Sequence, residues 1–107
     1  MISTHVLDLQ SGYPAAGIKV SLEKKTAQGW SKIMDASTNS DGRISFGNST
    51  DSGTYQLTFQ IEEYLKKTNA QPFFTVAQLV FTITDVARKY HVPLLLSPYG
   101  YSTYRGS

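Results

Sequence analysis

The chain is expected to fold as an all-β sandwich of two sheets, with seven to eight short strands and one short helix. Three observations carry that expectation. Apolar residues recur at every second position in several stretches, clusters of Asn, Asp and Gly separate those stretches, and one segment switches to helical character. Hydrophobic residues make up 40% of the 107 residues and aromatics 12%, which is enough for a folded, β-leaning domain spanning 1–107 but not for a generous core.

Each element follows in order. In Ile2-Ser3-Thr4-His5-Val6-Leu7-Asp8 the alternation puts His5 on the same face as Leu7. In Ile18-Lys19-Val20-Ser21-Leu22-Glu23 the even positions are apolar and the odd ones polar. Trp30 to Ser37 reads as a third strand, and Thr38-Asn39-Ser40-Asp41-Gly42 as a turn of residues that tolerate positive φ. Arg43-Ile44-Ser45-Phe46 follows as a short strand with Ile44 and Phe46 opposite Arg43, and Asn48 to Gly53 as a polar loop. Tyr55-Gln56-Leu57-Thr58-Phe59-Gln60-Ile61 alternates cleanly, predicting one face to the core and one to water. Glu62 to Asn69 has acids first and lysines last, so it reads as a helix of about two turns stopped at Asn69. Pro72-Phe73-Phe74 ends that segment, and Val76 to Thr84 returns to strand. His91 to Leu96 and Tyr99 to Arg105 supply the last strands. Pro93 lacks a ladder donor, so its strand should lie at an edge or start near that point.

Composition excludes several functions. A net charge of +2 with scattered lysines gives no nucleic-acid surface. The absence of cysteine rules out disulfides, zinc–thiolate sites and a cysteine nucleophile together. No apolar run is long enough for a membrane-spanning helix, and the first residues lack the pattern of a secretory leader. Two histidines without paired carboxylates make a poor zinc set, and Asp35, Asp41 and Asp51 are too sparse for calcium or magnesium, so no metal is expected.

The residues left to carry chemistry are few: His5 and His91, and the arginines Arg43, Arg88 and Arg105. Singly, each reads as ordinary. A strand histidine is usually hydrogen-bonded and structural, and an arginine after a turn is usually solvated. The tail Tyr101-Ser102-Thr103-Tyr104-Arg105-Gly106-Ser107 stands out, because termini are commonly frayed and polar whereas this one follows an apolar run.

Taken together, four motifs carry a resemblance: Ser3-Thr4-His5-Val6-Leu7-Asp8 with Gly12-Tyr13-Pro14-Ala15-Ala16-Gly17, the turn Asn39-Ser40-Asp41-Gly42-Arg43, the block Tyr90-His91-Val92-Pro93-Leu94-Leu95-Leu96, and the closing Tyr104-Arg105-Gly106-Ser107. Over essentially the whole chain they resemble the 5-hydroxyisourate hydrolases, the transthyretin-related enzymes of purine breakdown. The resemblance implies a transthyretin-like two-sheet sandwich that converts 5-hydroxyisourate to 2-oxo-4-hydroxy-4-carboxy-5-ureidoimidazoline in urate catabolism, without a cofactor. It implies His5, Arg43, His91 and Ser107 as the catalytic set. The histidines would handle water and its protons, Arg43 would bind and polarise substrate oxygens, and Ser107 would offer its hydroxyl or terminal carboxylate. His5, Arg43 and Tyr104 would contact substrate. Arg105 would orient the tail through a salt bridge, and Gly106 would let the last turn approach a neighbouring chain.

The inventory suits that chemistry. The substrate is a planar, oxygen-rich ring that opens when water adds to a ring carbonyl and the C–N bond breaks. A neutral imidazole can activate the water, with the rate falling at acidic pH around the free-histidine value of about 6.5. A guanidinium can stabilise the oxyanion. The alternative is a transthyretin-like carrier of a small ligand without enzymatic activity. The carrier branch lacks the two histidines and ends differently, so His5, His91 and the closing tetrapeptide favour the enzyme. A structural sandwich domain of a larger adhesive protein would normally show linkers. The resemblance further implies a homotetramer with sites at the dimer–dimer interface. A cytoplasmic location is the expectation, since the chain does not end in a peroxisomal Ser-Lys-Leu address.

Overall fold

The computed structural model describes residues 1–47 and 51–106. The predicted catalytic Ser107 and part of the polar loop between Asn48 and Gly53 lie outside the described residues. Nine strands and one helix run in the order β1 (Ile2–Asp8), β2 (Lys19–Thr26), β3 (Gly29–Ser37), β4 (Arg43–Ser45), β5 (Gly53–Gln60), α1 (Ile61–Lys67), β6 (Val76–Ile83), β7 (Tyr90–His91), β8 (Leu94–Ser97) and β9 (Gly100–Thr103) among those residues. One sheet has the order β4-β1-β8-β9 with β7 also on β1, and the other has the order β3-β2-β5-β6.

The count exceeds eight because Pro93 splits one expected strand. β7 ends before it and β8 begins just after it, both running parallel to β1. A residue with no N–H cannot serve the ladder, so the pairing lapses there and resumes at Leu94. Thr4 Oγ1 donates to Val92 O (2.6 Å) and Thr103 Oγ1 to Pro93 O (2.7 Å), which satisfies the carbonyls the interruption leaves over.

Between the sheets lies the core the alternation predicted. Val6, Leu94 and Leu96 from one sheet face the side of Leu57, Phe59 and Val20 from the other, all essentially without solvent exposure. On β5 the expectation fails in part. Gln56 and Thr58, predicted to face water, are buried. β5 is flanked by β2 and β6, and side chains of the flanking strands cover its outward face: Gln56 Nε2 donates to Glu23 Oε1 on β2 (3.1 Å).

The helix carries Glu62 and Glu63 in its first turn and Lys66 and Lys67 in its last, as the charge pattern predicted. It buries Ile61 and Leu65, and the chain leaves it through Asn69 at φ 62°, a left-handed position that asparagine tolerates. Its Tyr64 hydroxyl donates to the buried Asp8 carboxylate at the end of β1 (2.8 Å). Burial and that hydrogen bond push the phenol up to about 12.

Candidate functional site

β1 has two faces. Ile2, Thr4, Val6 and Asp8 are buried toward the core, while Ser3, His5 and Leu7 are half-buried on the outward face. Register then decides what stands beside each of them. On one side β4 places Arg43 opposite His5 and Ser45 opposite Ser3. On the other, β7 places His91 opposite Ser3. His5 and Arg43 are directly opposed, and His91, opposite Ser3, is a diagonal neighbour of His5 at a spacing of about 7–8 Å, so the three candidate side chains share one patch of sheet.

Arg43 is delivered by its turn. Asn39 Oδ1 accepts from the N–H groups of Asp41 (2.9 Å) and Arg43 (3.0 Å), which folds the loop around a side chain. Gly42 then sits at φ 72°, with Val6 N–H donating to its carbonyl at 2.8 Å. A Cβ on Gly42 would lie 2.6 Å from Val6 O, so only glycine lets the turn dock on β1 and start β4 opposite His5.

His91 is held on two edges. Its Nδ1 lies 2.9 Å from Ser3 Oγ. Its backbone carbonyl accepts from Gly106 N–H (2.7 Å), and a Cβ on Gly106 would lie 2.6 Å from His91 Cδ2. Within one chain, the close approach that Gly106 permits is to His91. The remaining edge of the ring, Cε1 and Nε2, is free of both contacts. Ser3, Asn39, Arg43, Ser45 and His91 line an open hollow of about 320 Å³. The His91 pKa lies below the ordinary histidine value. Burial is the largest cause, followed by the positive Arg43 and then His5. Two positive neighbours on the same sheet face push the ring in that direction.

The other predicted residues sit elsewhere. Tyr104 and Arg105 line a separate hollow of about 160 Å³ with Phe81, Thr84, Tyr90 and Val92, and Tyr104 is 58% exposed. Among the described residues no carboxylate pairs with Arg105. The structure thus brings together His5, Arg43 and His91, adds Gly106 at the His91 ring, and keeps Tyr104 apart from them within one chain. Ser3 was missed in the sequence, although it sits two residues before His5 in a strand and so shares its face.

A family model described as HIUase/Transthyretin family matches residues 2–106. The chain belongs to that family. A 5-hydroxyisourate hydrolase of Mus musculus is 46% identical over 112 residues, covering 99% of this chain and 94% of the mouse protein. Among solved structures, Klebsiella pneumoniae 5-hydroxyisourate hydrolase has a TM-score of 0.86 at 36% identity, covering 99% of this chain and 92% of that one. Sea bream transthyretin in complex with thyroxine has a TM-score of 0.91 at 30% identity, covering 98% of this chain and 93% of that one. The transthyretin structure superposes at least as well as the hydrolase, so within this family the fold does not discriminate enzyme from carrier.

Proposed function

We infer that this chain is a hydrolase of 5-hydroxyisourate acting in urate catabolism, with His5, Arg43 and His91 as its reacting groups. The observation that carries the reading is the pairing of two imidazoles with one guanidinium on a single sheet face, without a carboxylate ion-paired to Arg43 among the described residues. A planar substrate rich in carbonyl oxygens supplies the acceptors that this cluster lacks. In the proposed reaction His91, kept neutral by its surroundings, takes a proton from water as the water oxygen bonds to a ring carbonyl carbon. Arg43 balances the negative charge that develops on the carbonyl oxygen. The adduct collapses, the ring C–N bond breaks, and the leaving nitrogen takes a proton from an imidazolium. The carrier alternative needs neither histidine. The direct test generates 5-hydroxyisourate from urate with uricase and follows decay of its ultraviolet band. Decay no faster with the protein than without it would exclude the enzyme.

We further propose that the working form is a homotetramer. Two features support this reading. β6 and β9 end their sheets with unpaired ladder groups, and the apolar Val80 on β6 is 57% exposed. The hollow beside Arg43 and His91 also opens on an outward sheet face, where a second copy packed over it would exclude water from the reacting groups. In that assembly the segment Tyr104 to Gly106 contacts a neighbouring subunit in addition to its own His91. Light scattering should report four chains at working concentration. A fully active monomer would overturn the assembly but not the chemistry.

A further inference from the structure

We propose that Ser3 is the positioning residue of His91, its hydroxyl holding the imidazole in one rotamer and one tautomer with Nε2 presented to the hollow. The inference rests on the hydrolase reading above and deepens it. A neutral imidazole has one N–H and one bare nitrogen, and whichever partner the first nitrogen finds decides where the lone pair points. Ser3 Oγ lies 2.9 Å from Nδ1, directly across the β1–β7 pairing. The opposite edge of the ring faces Gly106 so closely that a Cβ there would lie 2.6 Å from Cδ2, which leaves little room on that side. With both edges engaged, only Nε2 and Cε1 remain to face a substrate.

The serine hydroxyl suits this task for a specific reason. With Nδ1–H donating to Ser3 Oγ, the lone pair sits on Nε2, where a proton from water can be accepted. Once Nε2 is protonated, Nδ1–H still donates to the same oxygen, so the contact survives the proton transfer without movement of either side chain. A carboxylate in this place would raise the basicity of His91 and add a negative charge beside an anionic intermediate. A hydroxyl orients the ring and leaves the positive field of Arg43 unopposed. Among the described residues Ser3 Oγ has no other hydrogen-bond partner, so no competing contact turns the hydroxyl away from the ring.

The test is the substitution Ser3→Ala, read in two ways. Ring nitrogen NMR of 15N-histidine protein should show His91 in the wild type with the proton on Nδ1. In Ser3→Ala it should show a mixture of tautomers. In turnover, kcat should fall about five- to tenfold while KM changes little, the size expected for one lost hydrogen bond to an orienting group. Ser3→Thr keeps the hydroxyl and should restore both signals. The NMR arm needs no substrate, so the inference can fail separately from the function. A wild-type protein inactive on 5-hydroxyisourate overturns the hydrolase reading. An active one whose Ser3→Ala variant keeps the His91 tautomer and kcat overturns the role of Ser3. A variant that loses activity with an unchanged His91 spectrum also overturns it, since the loss would then not pass through the ring.

Discussion

The outward faces of the two sheets treat their charged groups differently. On the β3-β2-β5-β6 sheet both strand carboxylates, Glu23 and Asp35, are answered by a neighbour. Ser21 Oγ donates to Asp35 Oδ1 (2.6 Å), Lys32 Nζ lies 3.1 Å from Asp35 Oδ2, and Gln56 Nε2 donates to Glu23 Oε1 (3.1 Å). Those contacts also hold the Asp35 pKa below its ordinary value, the Ser21 hydrogen bond first and Lys32 next. On the sheet built around β1, Arg43, His5 and His91 share one field with no carboxylate paired to Arg43 among the described residues. The first face pairs its carboxylates locally. The second holds positive charge without a paired carboxylate among the described residues, as the proposed substrate face requires.

The sharpest way to break that contrast is to remove members of the unpaired cluster. Arg43 is exposed and His91 half-buried, so alanine at either position leaves the core untouched. Arg43→Ala and His91→Ala should each lower turnover of 5-hydroxyisourate by roughly a hundred- to ten-thousandfold, the usual worth of general acid–base and oxyanion groups. Circular dichroism should be unchanged. Asp35→Asn on the other sheet is the control, and its turnover should match the wild type. Full activity in His91→Ala, or a large loss in Asp35→Asn, would erase the distinction between the faces.

Next in size is Gly106→Ala. The added methyl would stand 2.6 Å from His91 Cδ2, so the ring or the tail must shift. A displacement of about 1 Å at a reacting group costs on the order of a hundredfold in rate. The loss should appear in kcat, together with a moved His91 resonance in NMR. An unchanged resonance and rate would mean that the tail does not hold the ring.

A smaller effect concerns pH. His91 must be neutral to accept a proton, and its folded pKa is lowered by burial first, then by Arg43 and His5. A lowered pKa keeps the ring neutral to more acidic pH, so the acidic limb of the rate profile should fall below about 6.5, the ordinary histidine value. The expectation from composition alone, a midpoint near that value, is thus shifted downward by the site. Replacing the guanidinium in Arg43→Gln removes a positive neighbour and should raise the His91 pKa in an NMR titration. A fall or no change would show that Arg43 does not act on His91 through its charge.

What was legible in the sequence and what was not divides along the same physical line. Alternation along β1 is a property of one strand, so the shared face of His5 and Leu7 could be read directly, as could the turn before Arg43 and the stop at Asn69. Alternation says nothing about what lies on the flanking strands. Gln56 and Thr58 were therefore expected in water, although side chains reaching from the flanking strands bury them. The pairing of β1 with β7 is likewise non-local, with Ser3 and His91 far apart in the chain. The role of Ser3 and the contact of Gly106 with His91 could not emerge without that register. Nor could the separation of Tyr104 from the His91 hollow, because the closing tetrapeptide reads as one motif while its residues turn to different sides.

The smallest predicted effect tests the β3-β2-β5-β6 sheet. Thr58 Oγ1 on β5 is buried and is the one such side-chain atom without a hydrogen-bond partner among the described residues. Its cross-strand neighbour on β2, Ser21, has committed its hydroxyl to Asp35 (2.6 Å). A buried hydroxyl that makes no bond loses its hydration without recompense, at about 1 kcal/mol or somewhat more. Valine has nearly the same shape with a methyl in place of the hydroxyl, and its β-branch suits a central strand. Thr58→Val should therefore stabilise the fold by about 1 kcal/mol, a rise in Tm of roughly 3–6 °C for a domain of this size. Turnover should stay the same, since the substitution lies on the sheet that carries none of the reacting groups. A lower Tm would mean that Thr58 has a partner in solution and that this face is less dry than its packing implies. A change in rate would mean that the two sheets are coupled in function, and the contrast between their faces would have to be redrawn.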